Sequence, residues 1–317
     1  MNVVHQYYKP PKPEWYKNIY VGDVGRTIII GDIHGALKAL IQVIERVKYL
    51  PGVDTLVFIG DLVDRWSEGA QVCQYVSSLR QAHPDKVFCI LGNHDNWFLD
   101  VYKDCVKRSD GNDKISPMDL LREADQIHRN HIHWWSQGGE STYRDLMRLL
   151  PYEQIEVFEF LEKMIPYHID KKRNILYVHA GFSYNYPFEF TVKSRYDDLF
   201  WDRDLFDRAV HLQCLLERSE SKPAEEKWKL GGFDRIYIGH SSTVSHPINE
   251  YTPRVHANVV NVDNGAGGGE RLTAWIHETG TFIQSDPTKE LYPKETREYK
   301  KINYLLNTYQ GWRGTIS

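Results

Sequence analysis

Five short apolar runs, rich in Val and Ile, recur along the chain, and each stops at a small residue beside a side chain able to bind a metal ion. They are RTIIIGDIHG (26–35), DTLVFIGDLVDR (54–65), KVFCILGNHD (86–95), NILYVHAG (174–181) and RIYIGHS (235–241). Short β-branched runs bounded by turn residues predict buried strands. Polar groups placed where such strands end gather at one rim of a sheet, where open α/β sheets keep their sites. Between the first two runs, Leu37, Leu40, Ile41, Ile44, Val47 and Leu50 recur at helical spacing, so 36–50 is predicted to be an amphipathic helix ended by Pro51-Gly52. A second helix is predicted over 69–83, with Val72, Val76 and Leu79 inward. Strand and helix alternate at about 30 residues per unit, the βαβ period. The first 95 residues therefore read as two or three βαβ units, an α/β arrangement.

Residues 97–170 are polar and helical in pattern and read as a helical insertion beside the site. It contains HRNHIHWWSQGG (128–139) and a later helix over 151–164. The remainder is predicted to return to strands, with one run at 258–267 and a hairpin over 270–286 that turns near Glu278–Thr281. The charged, Tyr-rich stretch 287–317 reads as a tail packed on the surface, and the whole of 1–317 as a single domain.

The strand ends supply Asp32 and His34, then Asp61, Asn93, His179 and His240. Any one of these alone has an ordinary structural explanation, as a turn, a helix cap or a satisfied histidine. Five runs obeying the same strand-then-ligand order do not. Carboxylate, imidazole and amide donors suit divalent Mn, Fe or Zn better than a thiolate set would. Two ions about 3.5–4 Å apart need a bridging ligand. Asp61 lies between the two groups in sequence and is the expected bridge. Asp32 and His34 would complete one ion, and Asn93, His179 and His240 the other. Water shared by two cations ionises near neutral pH and can attack phosphorus in line. His94 is placed to protonate the leaving oxygen, with Asp64 orienting its ring, and Arg65 offers a forked donor for phosphate oxygens.

The composition bounds the partners. A net charge of -4 argues against strong nucleic-acid binding while allowing a small phosphorylated substrate. No stretch approaches the roughly 20 apolar residues of a membrane span. The polar, Pro-broken N-terminus lacks the apolar region of a secretory signal, so a cytoplasmic location is expected. Cys73, Cys89, Cys105 and Cys214 form no CxxC pattern and are expected to be reduced thiols.

Gly31-Asp32-Ile33-His34-Gly35, the run Gly60 to Arg65, and Gly92-Asn93-His94-Asp95 together resemble the calcineurin-like metallophosphoesterase superfamily. Within it they are most similar to the serine/threonine phosphoprotein phosphatases, the group of the small bacteriophage lambda phosphatase and its bacterial relatives. HWWSQGG (133–139), LFWDRD (199–204), YIGHSSTV (237–244) and VNVDNGAGGGERLT (260–273) extend the likeness over about 18–286. The resemblance implies two mixed β-sheets in a sandwich flanked by helices. It also implies a two-metal site usually filled by manganese, and a phosphate-gripping role for Arg203 beside Arg65 and Asn93. The expected activity is hydrolysis of phosphate monoesters, on phosphoproteins or small esters. The alternative is hydrolysis of dinucleoside tetraphosphates or related nucleotides. A catalytically silent binding module is disfavoured, because every expected ligand is present along with His94 and Asp64.

Two residues depart from the phosphatase pattern. Trp66 stands where Gly usually follows DR, and is expected to reshape the groove or stack on an aromatic leaving group or base. Asp95 stands where phosphoprotein phosphatases usually have Glu, whereas several relatives acting on dinucleoside polyphosphates carry Asp. Trp134 and Trp135 are further base-stacking candidates, against a role in packing the insertion.

Overall fold

The computed structural model describes residues 25–108, 129–218, 229–243 and 251–295. Its first sheet has the strand order β10-β9-β1-β2-β3. It is built from β1 (Thr27–Ile30), β2 (Thr55–Phe58), β3 (Val87–Cys89), β9 (Thr273–Ile276) and β10 (Thr281–Gln284). β1, β2 and β3 run parallel, while β9 and β10 form the antiparallel hairpin. The second sheet is β4-β5-β6-β8-β7. It comprises β4 (Tyr167–Asp170), β5 (Ile175–Val178), β6 (Arg235–Ile238), β7 (Arg254–His256) and β8 (Val259–Asn261). β5, β6 and β8 are parallel, and β4 and β7 flank them antiparallel.

The inner parallel strands β1, β2, β5, β6 and β8 are apolar without alternation because both faces are covered. Ile29, Val57, Ile59 and Ile90 from the first sheet meet Ile175, Tyr177, Tyr237, Val260 and Val262 from the second, forming the sandwich interior. Ile28, Ile30, Leu56 and Phe58 point the other way, into the layer that holds α1 (Leu37–Arg46) and α2 (Gly69–Ala82). In α1 the buried positions are Ala39, Leu40, Val43 and Ile44, a stripe at three-to-four spacing. Of the two or three βαβ units expected from the pattern, two are present, as β1-α1-β2-α2-β3.

α3 (Asn93–Arg108) starts where β3 delivers its ligand. The insertion continues with α4 (Arg129–Trp134), a π turn (Trp135–Gly139), α5 (Glu140–Leu146) and α6 (Pro151–Glu162), which pack on α2 and α3. It ends earlier than 170, because the short polar strand β4 occupies 167–170 and pairs with β5. The segment predicted to return to strands also holds three helices, α7 (Phe188–Ser194), α8 (Asp198–Trp201) and α9 (Asp204–Arg218). In α9, Leu205, Phe206, Ala209 and Leu212 form the buried face, and the helix packs on β7 and β8. The last described helix, α10 (Thr288–Leu291), is followed by Tyr292, which is only 3% exposed, so the start of the tail is core rather than surface. Residues 1–24 and 296–317, which carry parts of the N-terminal and tail expectations, lie outside the described residues. Among the described residues none of the four cysteines forms a disulfide. No helix among the described residues is long and apolar enough to cross a membrane.

Candidate metal and phosphate site

The carboxyl ends of the parallel strands in both sheets open onto one rim. Asp32 and His34 follow β1, Asp61 follows β2, Asn93 begins α3 after β3, His179 follows β5 and His240 follows β6. The backbone turns sharply at these points: His34, Asp61 and His240 have φ of 52°, 52° and 61°. Left-handed conformations cost non-glycine residues on the order of 1–3 kcal/mol each and persist where the surroundings fix them. Close packing does this for Asp61. A Cβ on Gly92 would lie 2.2 Å from Asp61 Oδ1, so the neighbouring loop must be glycine there.

The structure brings all six predicted ligands together. Asp61 Oδ2 lies 3.5 Å from His34 Nε2 and its Oδ1 lies 3.4 Å from His179 Nε2. Asn93 Oδ1 is 2.9 Å from both His179 Nε2 and His240 Nδ1. Asp32 Oδ2 accepts the His240 backbone N–H at 3.0 Å. Two triads have donor atoms close enough to share an ion, His34–Asp61–His94 and Asp32–Asp61–His179. Asp61 is common to both, as expected of a bridge. The grouping differs from the sequence expectation in setting Asp32 beside His179 rather than beside His34.

The donor chemistry fits divalent cations. His179 Nδ1 lies 2.7 Å from the Ile59 carbonyl and His34 Nδ1 lies 3.2 Å from that of Val63. Each carbonyl can only accept, so both rings carry a proton on Nδ1 and turn Nε2 toward the site. Asp32 Oδ1 is buried without a hydrogen-bond partner. Burial, then the charges of Asp263 and Asp61, raise the Asp32 carboxyl well above its ordinary value. Burial lowers His34 well below the usual imidazole range, and Arg65 adds to this. Burial, His179 and Arg203 bring His240 down to about 2. Burial tends to raise Asp61 as well, but His179, His94, His34 and His240 outweigh it and hold that carboxyl low. Crowded carboxylates beside neutral imidazoles make a cavity that a cation satisfies.

The model for the calcineurin-like phosphoesterases matches residues 25–242, which contain all of these ligands. The chain belongs to the calcineurin-like phosphoesterase family. Among curated proteins, a symmetrical bis(5'-nucleosyl)-tetraphosphatase from Cronobacter sakazakii is 36% identical over 108 residues, 34% of this chain and 35% of that one. An Escherichia coli protein of the same name is 31% identical over 155 residues, 49% of this chain and 43% of the relative. The matched stretches thus span less than half the length of these relatives. A protein crystallised as a candidate diadenosine tetraphosphatase aligns with a TM-score of 0.50 at 19% identity, over 83% of this chain and 94% of that one, a likeness of fold.

Within this phosphoesterase fold His34, Asp61, Asn93 and His240 floor a cleft of about 360 Å³, lined also by Arg65, His94, Arg203 and Asp263. Arg65 has φ 76° and donates its backbone N–H to Gly138 O at 3.1 Å. Gly138 itself has φ 111°, and a Cβ there would come within 2.8 Å of the Arg65 backbone nitrogen. The π turn of the insertion therefore holds Arg65, whose buried Nε has no partner within the protein. Arg203 stands at the rim, where Nη1 donates to Ser241 Oγ at 2.9 Å.

Asp64 is fully buried behind His94, with Oδ2 2.7 Å from His94 Nδ1. Its other oxygen accepts from Thr142 Oγ1 at 2.7 Å and from Trp134 Nε1 at 3.1 Å. Trp134 is therefore a core residue that fixes Asp64, not a base platform. Trp135 packs edge-on against Trp134 and against Tyr143 and does not line the cleft. Trp66 likewise turns away. It is 2% exposed, donates Nε1–H to Ala266 O at 2.8 Å and stacks on Tyr292 at 5.0 Å.

Sequence reasoning overlooked Asp263, which lines the cleft two residues after β8 and follows the same strand-then-ligand order. It also overlooked Trp97, His133, Gln137, Trp201 and Ser242 in the cleft wall. Asp95, by contrast, does not face substrate. Its oxygens accept the N–H groups of Leu62 (2.9 Å), Val63 (3.3 Å) and Gly92 (3.0 Å), tying the two ligand loops together. Burial and the Asp61 charge push its carboxyl up to about 7 despite those bonds. A buried donor stripped of its acceptor costs about 1–3 kcal/mol. Asp95→Ala is thus expected to lose about 3 kcal/mol or more in urea unfolding, and Asp95→Asn to recover part of it. A midpoint unchanged in Asp95→Ala would refute this tie.

Proposed function

We propose that the protein is a two-metal phosphoesterase acting on dinucleoside polyphosphates, with symmetrical cleavage of a bis(5'-nucleosyl) tetraphosphate as the favoured reaction. The observation that carries the chemistry is the sharing of buried Asp61 between two donor triads, beneath a cleft that also presents two arginines and His94. The names of the curated relatives support the nucleotide substrate. The phosphoprotein reading rests on metal motifs common to both activities and has no separate support.

In this reading Asp61, shared by both donor triads, would help hold both ions, with His34 on one side of it and Asp32 and His179 on the other, and Asn93 and His240 would complete the set. Two divalent ions, manganese by preference, supply positive charge for the phosphoryl oxygens and lower the pKa of water at the site. The chain does the rest. Arg65 and Arg203, with the Asn93 amide, hold the phosphoryl oxygens so that the phosphorus presents one face to the cleft floor. His94 donates a proton from Nε2 to the departing oxygen. Asp64 accepts the Nδ1–H and orients the ring for the transfer. Thr142 and Trp134 hold Asp64 still while this happens.

The test is turnover with Mn²⁺ on three substrates: diadenosine tetraphosphate, a phosphoserine peptide and a bis-aryl phosphate. The expected result is ADP as the nucleotide product, with kcat/KM above the other two by about tenfold or more. Faster release of phosphate from the peptide would overturn the nucleotide reading.

A further inference from the structure

We propose that Trp97 and Trp201 form the shelf on which a nucleobase of the substrate stacks, making them the specificity-determining residues of the cleft; this rests on the nucleotide reading above. Trp97 lies one helical turn after His94 on α3, so the two side chains share a face. Trp201 closes α8, two residues before Arg203. The two indoles meet at 4.6 Å between centroids. The pair reaches across the cleft wall, since Trp97 contacts His94 at 5.3 Å and Trp201 contacts His240 at 5.8 Å. His133 steadies Trp97 edge-on at 5.0 Å.

Trp201 keeps 40% of its surface in water beside a cleft otherwise made of histidine, carboxylate, amide and guanidinium groups. A large flat apolar surface at that position has no use for phosphate or metal, whereas every nucleobase has a π-face to lay on it. Arg65 and Arg203 would grip the phosphates while the shelf takes the ring system. Ser242 Oγ lines the same cleft and is buried without a hydrogen-bond partner, a polar group left for ribose or a base edge. Trp66 and Trp134, the aromatic candidates prominent in the sequence, are closed off in the core, so the base-binding role passes to this pair.

Calorimetry on the manganese-loaded protein tests this with ADP and pyrophosphate as probes. Loss of base stacking lowers affinity roughly 5- to 100-fold. Trp201→Ala is expected to weaken ADP by that factor and to leave pyrophosphate roughly unchanged, and Trp201→Phe is expected to restore most of the loss. Trp97→Leu is expected to act in the same direction. In turnover, KM for diadenosine tetraphosphate rises in Trp201→Ala by more than kcat falls. Equal weakening of ADP and pyrophosphate, no ADP binding by the unmodified protein, or an equal KM rise for phenyl phosphate would each overturn the shelf. If the unmodified protein binds ADP through Trp201 but leaves diadenosine tetraphosphate intact, the shelf stands and the proposed reaction fails. Unchanged ADP affinity in Trp201→Ala alongside normal turnover fails the shelf alone.

Discussion

Replacing Asp61 by asparagine is expected to strip at least one ion from the metal site and lower turnover by roughly 10³-fold or more. The side chains are nearly the same shape, and an amide oxygen can still accept the His94 backbone N–H that now bonds Asp61 Oδ1 at 3.0 Å. The fold therefore has little reason to change. What changes is the second donor atom. An NH₂ group replaces one of the two oxygens that face His34 and His179 at 3.5 and 3.4 Å. An N–H directed into a cation site repels the ion, and the negative charge that both ions would share is gone. The loss of several kcal/mol of charge stabilisation translates at about 1.4 kcal/mol per decade into the stated fall. Metal content measured on the dialysed protein should drop from two equivalents to one or fewer while the circular dichroism stays the same. An Asp61→Asn protein that kept two equivalents and most of its activity would end the bridging assignment.

The candidate metal-binding residues were legible in the sequence for a physical reason. Strands buried on both faces must be continuous apolar runs, and such runs make the first polar residue beyond them conspicuous. Asp263 obeys the same rule after VVNV and could have been found by it. The elements that escaped are those whose pattern is weak. YHID (β4) and RVH (β7) are short and polar because each pairs on only one side. The α9 segment carries helical spacing in Leu205, Phe206, Ala209 and Leu212, but diluted among charges. Side-chain direction was harder still. Asp64 and Arg65 have φ of 73° and 76°, and that left-handed turn swings Trp66 away from the cleft toward Tyr292. Nothing in the residue order announces such a turn at two non-glycine positions. The roles of Trp134 and Thr142 as anchors of Asp64 depend on contacts across about seventy residues, which no local pattern contains.

His94 carries the second large effect. His94→Ala is expected to lower kcat about 10²- to 10⁴-fold on substrates with a poor leaving group, with both metal equivalents retained. The site gives a reason to expect a proton donor there. Asp64 occupies Nδ1 and is itself sealed by Thr142 and Trp134, so the ring has one free nitrogen and it belongs to the cleft. A donor matters most when the departing oxygen is strongly basic. The deficit should therefore shrink when 4-nitrophenolate leaves and grow when an alkoxide leaves. Asp64→Asn should show the same leaving-group trend with a smaller loss, because the ring keeps its place but loses the carboxylate that accepts its Nδ1–H and orients it. The proximity of His94 to His34 and Asp61 allows the opposite assignment, in which the ring binds an ion. That role predicts a deficit independent of the leaving group and the loss of one metal equivalent in His94→Ala, so the two readouts together decide between proton transfer and coordination.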